Sequence, residues 1–105
     1  MPNYGEYGEV LRARVGVDAS TNIGLTFILE PEIGDKITRT ESDGVAVGTV
    51  DVTVGDETYN ANEYLEYTTV SGDLEYIGRW RKQAKAKLSS TVERVGNSER
   101  FTVLA

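Results

Sequence analysis

The sequence contains no cysteine and no histidine. Without cysteine there is no disulfide framework, no thiolate nucleophile and no cysteine-based zinc site. Without histidine the commonest general base and the commonest transition-metal ligand are both missing. Any hydrolase built on an imidazole is therefore excluded. Proline is scarce, and no apolar run approaches the ~18 residues that a membrane-spanning helix needs. The first residues, Met1-Pro2-Asn3-Tyr4-Gly5-Glu6, have neither the basic patch nor the apolar stretch of a secretory signal. Synthesis in the cytoplasm is the expectation. Bases are few through most of the chain: residues 1–78 carry 15 acids and 4 bases, whereas residues 79–105 carry 2 acids and 7 bases. An acidic body disfavours binding to nucleic acid, whose phosphates require a net basic face. The basic C-terminal part suits docking on acidic neighbours or on copies of the same chain.

What is present is alternation. At 105 residues the chain is one domain's worth of sequence, read as an N-terminal arm over 1–8 and a single domain over 9–105. Glu9 to Val15 alternates, with Leu11, Ala13 and Val15 on one face. Ile23 to Glu30 does the same and points Ile23, Leu25, Phe27 and Leu29 inward, until Pro31 ends the strand. A short strand follows at Lys36–Thr40, then a turn at Ser42-Asp43-Gly44. Val45–Val54 reads as a valine-rich strand with Val50, Val52 and Val54 on one face, followed by a turn at Gly55-Asp56-Glu57. Tyr64–Thr69 is the next strand, ended by Ser71-Gly72-Asp73. Arg79–Leu88 sets Trp80, Lys82, Ala84, Ala86 and Leu88 against Arg79, Arg81, Gln83, Lys85 and Lys87. Its alanines, lysines and leucine also suit a helix, but a helical stripe of Trp80, Ala84 and Leu88 is too thin, so strand is preferred. Arg100–Leu104 closes the chain. About seven strands, with turn signals every ~8–12 residues, indicate an all-β sandwich of antiparallel strands.

The segment Asp73-Leu74-Glu75-Tyr76-Ile77-Gly78-Arg79-Trp80-Arg81 carries the most information. Leu74 is suited to plugging the end of a sandwich, and Gly78 to supplying a positive φ or a close backbone approach. Trp80 begins the next strand as a large buried ring. This follows the logic of a tyrosine corner, with tryptophan in the tyrosine's place and its indole N–H expected to take over the missing hydroxyl's hydrogen bond.

Taken in order, Val17-Asp18-Ala19-Ser20, Leu25 and Phe27, Leu65 through Leu74, Gly78-Arg79-Trp80 and Phe101-Thr102-Val103-Leu104 resemble a group of tailed-bacteriophage structural proteins. These are the immunoglobulin-like domains found at the N-terminus of upper baseplate proteins and as small stand-alone virion proteins. The resemblance runs from about Gly8 to Leu104 and rests on order and spacing. It implies an immunoglobulin-like β-sandwich that anchors tail, baseplate or fibre parts in a virion, with other virion proteins and copies of itself as partners and no enzymatic residues or cofactor. Two departures stand out. Val45–Glu63 adds a valine-rich hairpin, and no receptor-binding domain or fibre shaft is expected after Ala105. The same fold could also cement capsid subunits.

Candidate contact residues are Tyr4 and Tyr7 in the glycine-bearing arm, since tyrosine is favoured at interfaces, and the basic ribbon Arg79, Arg81, Lys85 and Lys87. The ribbon has a second explanation, a charged sheet edge that blocks aggregation. Lys82, on the Trp80 face, is expected at the rim with its stem packed and its amine in water. Glu30, Glu32 and Asp35 flank Pro31 but lack the ligand spacing of a calcium loop, so no metal is assigned. A carbohydrate-binding module is the rival from another class, and it would need a coplanar row of exposed aromatics including Tyr64. No P-loop, GxSxG or GxGxxG motif is present, and no catalytic residue is assigned.

Overall fold

A computed structural model describes residues 3–105. Among the described residues there are ten strands, most of them from the alternating segments and numbered in chain order: β1 Val10–Arg14, β2 Gly24–Pro31, β3 Ile37–Thr40, β4 Ala46–Val47, β5 Val52–Val54, β6 Glu57–Tyr59, β7 Tyr64–Thr68, β8 Gly78–Ser89, β9 Val92–Val95 and β10 Glu99–Val103. They pair antiparallel as two main sheets, β1-β7-β4 and β10-β8-β2-β3, with β9 also paired to β8 and β5-β6 a separate hairpin. The fold is an antiparallel β-sandwich.

Register explains the core. Phe27 lies opposite Ala84 and Leu25 opposite Ala86, so large and small side chains alternate across the β2–β8 pair. Those residues pack with Leu29 and Trp80 against Leu11, Ala13, Leu65 and Tyr67 of the facing sheet. Ile23, expected inward, is exposed because it precedes β2 and bonds only through its backbone to Lys87. The valine-rich segment is not one strand either. It breaks after Val47, and Val50 and Val54 face solvent on the hairpin layer.

The corner before β8 carries the expected bond: Trp80 Nε1 donates to the Tyr76 carbonyl at 2.9 Å. Leu74 is buried in the core. Gly78 has φ +118°, and nothing lies within 4 Å of where its Cβ would be, so conformation and not crowding requires the glycine. The Trp80 ring packs tilted against Phe101, centroids 5.8 Å apart.

Two arginine clamps hold the sheets together. From β3, Arg39 donates to Asp73 at 2.7 Å and to the Tyr67 hydroxyl at 3.2 Å. Asp73 is buried and also accepts from the Tyr67 hydroxyl and from the Val70 N–H. Burial alone would raise the Asp73 pKa, but Arg39, the Tyr67 hydroxyl and the Val70 N–H outweigh it and hold the carboxyl below its ordinary 3.8. At the β1–β10 margin, Arg14 pairs with Glu99 at 3.0 Å and Glu57 at 2.7 Å, and its guanidinium lies 4.3 Å from the Tyr59 ring centre. Glu99 also accepts the backbone N–H of Arg14 at 2.8 Å, capping a donor of that strand.

Around this second clamp two expectations change. The β5–β6 hairpin lies over the end of the β1-β7-β4 sheet, so Tyr64 is fully buried although it points away from the sandwich interior. Its hydroxyl donates to the Val50 carbonyl at 2.8 Å. Lys82 does not lift its amine into open water: the group sits 5.9 Å from the ring centres of both Tyr59 and Phe101. Burial there lowers its pKa against the opposing pull of Glu99.

The Asp73 clamp gives a pH prediction. Its folded pKa lies below the unfolded value, so its contribution is complete above about pH 4 and disappears as pH falls through the folded value. Asp73→Asn should lower stability by about 2–4 kcal/mol at neutral pH. Urea melts from pH 7 to pH 2 should show a shallower acid loss in the variant than in the parent chain.

A second prediction concerns the partly buried amine. Lys82→Met should leave stability unchanged or raise it by about 1 kcal/mol, because a desolvated charge is replaced by an apolar chain of similar length. Thermal melting of the two proteins compares them directly.

Candidate functional site

Strand β8 runs through the middle of its sheet, with β2 on one side and β10 and β9 on the other. Its basic ribbon is therefore not a sheet edge, and protection of an edge does not explain it. Alternation sends Trp80, Ala84 and Ala86 into the core, so Arg79, Arg81, Lys85 and Lys87 emerge on the outer face. The structure thus brings four of the six sequence candidates together on one surface.

Tyr4 and Tyr7 lie elsewhere. Both are exposed, at 54% and 67%, and neither lines the groove described below. Their segment is tied down by its backbone: Tyr4 N–H donates to Leu104 O, Gly5 N–H to Leu74 O and Gly8 N–H to Thr69 O. The described part of the arm is docked on the sandwich.

Pairing adds a residue that sequence reading did not single out. Arg100 of β10 stands directly opposite Arg81, and Thr102 opposite Arg79. On the other flank Glu30 of β2 stands opposite Arg81. Residues Glu30, Pro31, Glu32, Gly34, Arg79, Trp80, Arg81 and Arg100 line one open groove of about 530 Å³. Gly34 is held close to the Tyr76 ring, where an added Cβ would come within 2.7 Å, so the loop after β2 abuts the corner before β8.

The electrostatics of the groove are unusual for a sheet surface. Two cations placed directly opposite each other on neighbouring strands repel. Among the described residues the ion pairs are Arg12–Glu66, Arg14–Glu57, Arg14–Glu99 and Arg39–Asp73. Arg79, Arg81, Arg100, Lys85 and Lys87 belong to none of them, and neither do Glu30, Glu32 and Asp35. The three arginines keep their planar, multi-donor ends free for carboxylates. Glu30, Glu32 and Asp35 are spread along the groove margin and its loop. Among the described residues no three carboxylates converge as a metal cage would require.

The groove offers anion recognition on an open surface. It is lined by arginine donors and by Pro31 and the buried Trp80, together with the acids Glu30 and Glu32. Compared with known proteins, the chain matches no family model, no curated protein and no solved structure. The functional reading therefore rests on this geometry and on the sequence.

Arg100 was hidden because its neighbour is 19 positions away along the chain, at Arg81. The alternation of Phe101 and Val103 tells that Arg100 points outward, but no local signal tells which strand lies beside it.

If the opposed arginines serve binding, they oppose stability. Arg100→Gln should raise stability by about 0.5 kcal/mol. Denaturant unfolding at low salt would show it, and the difference should shrink as salt screens the repulsion.

Proposed function

We propose that this chain is a non-enzymatic adaptor of a tailed-bacteriophage virion, acting at the tail, baseplate or fibre attachment, and that it docks through the outer face of the β10-β8-β2-β3 sheet. The observation that carries the docking reading is the Arg79–Arg81–Arg100 cluster, in no ion pair among the described residues and set on an otherwise acidic body. A cationic face on an acidic protein favours assembly by charge complementarity and disfavours contact with the wrong partner.

Strand order supports the immunoglobulin-like part of the reading. With β1, β7 and β4 taken as B, E and D, and β3, β2, β8 and β10 as C′, C, F and G, the order β1-β7-β4 over β3-β2-β8-β10 follows the immunoglobulin arrangement. The Trp80 bond to Tyr76 then falls at the E–F corner, where a tyrosine corner belongs. A carbohydrate-binding module is favoured less. Tyr64, which its aromatic row required, is buried, and the exposed tyrosines Tyr4, Tyr7 and Tyr76 lie outside the regular strands.

Quantitative mass spectrometry of purified virions tests the proposal. About six or twelve copies per particle, the count of a closed ring, would support a place at the tail end. Copies by the hundred would move the chain to capsid decoration. Absence from the particle would overturn the virion assignment.

A further inference from the structure

The groove and the loop beside it form a hole and a knob on one surface. Ile33, 77% exposed, projects from the loop that follows β2, between Glu32 and Gly34 of the groove rim. It is the most exposed large apolar side chain among the described residues. Ile77, also exposed, follows Tyr76, whose ring packs beneath that loop at Gly34. Glu30, Glu32 and Asp35 thus accompany an apolar knob, while Arg79, Arg81 and Arg100 line an open depression together with Pro31 and Trp80.

We propose that two copies of the chain associate about a twofold axis through this face, the Glu32–Asp35 loop of each entering the arginine groove of the other. This rests on the reading of that face as a docking surface and names its occupant. A twofold contact needs a self-complementary patch, in which acid and base lie side by side and exchange partners on rotation. The six groove and rim charges satisfy that condition, being adjacent, opposite in sign and in no ion pair among the described residues. Ile33 supplies the apolar centre that charge alone lacks, since exposed ion pairs by themselves hold little.

Sedimentation velocity across a concentration series reads the outcome. The parent chain should form dimers that dissociate as salt rises. Arg81→Glu with Arg100→Glu should weaken association at least about tenfold, and so should Glu32→Arg with Asp35→Arg. An equimolar mixture of these two doubly substituted proteins should dimerise again, because both reciprocal contacts then pair opposite charges. Ile33→Ser should weaken the dimer without restoring it in any mixture. Circular dichroism checks that each variant keeps its strands. A dimer indifferent to all these changes would overturn the proposal, as would a parent chain that stays monomeric to about 1 mM. A labelled polyglutamate peptide separates the two levels. If the monomer binds it and Arg81→Glu abolishes binding, self-docking alone falls; if it does not bind, the docking face falls as well.

Discussion

Everything in this fold depends on the two-residue period of β8 being kept from Arg79 to Lys87, up to the irregularity before Ser89. One parity of that strand builds the interior, with Trp80 at the corner and two alanines making room for Phe27 and Leu25. The other parity has no interior to enter and carries the cations outward. A slip of one residue would exchange the two sets and bury arginine. The core and the candidate site are therefore the two faces of the same strand. Because β8 pairs along both edges, its side chains are held more firmly than a loop could hold them.

The ion pairs between the two sheets, formed by half-buried and buried side chains, serve assembly of the sandwich. Arg39, Tyr67 and Asp73 join one sheet to the other through a satisfied network, and Arg14 with Glu99 does the same at the opposite margin. The β5–β6 hairpin extends that second clamp, bringing Glu57 to Arg14 and covering Tyr64 and Lys82. These charges are committed inside the chain. Among the described residues the cations of the β8 outer face and Arg100 are in no ion pair, and the proposed docking face rests on this contrast more than on the total charge.

Much of the architecture was legible because it is local. The faces of β1, β2 and β8, the glycine turns, and the tryptophan corner with its N–H bond all follow from spacing along the chain. What was not legible depends on which strand lies beside which. The ribbon suited a charged sheet edge as well as a docking face, and only its neighbours on both sides removed the edge. The burial of Tyr64 and the packing of the Lys82 amine beside Tyr59 were not legible, because nothing local in the valine-rich hairpin tells that it folds over them. Strand β9 gave no signal: Val92-Glu93-Arg94-Val95 repeats its apolar residues every three positions, and only pairing with β8 makes it a strand. At the site, four cations were visible from alternation, while the opposed Arg81–Arg100 pair and the adjoining acid rim required the register.

The immunoglobulin-like adaptor reading joins these parts: a closed core without histidine or cysteine, two internal clamps, and one outer face whose charges are left for a neighbour. Arginine-selective chemical labelling tests this most directly, by comparing the free protein with the assembled particle. The account predicts that Arg79, Arg81 and Arg100 react readily in the free chain and lose reactivity on assembly, while Arg94 outside the groove changes little. Undiminished labelling of the three groove arginines in the particle would contradict it.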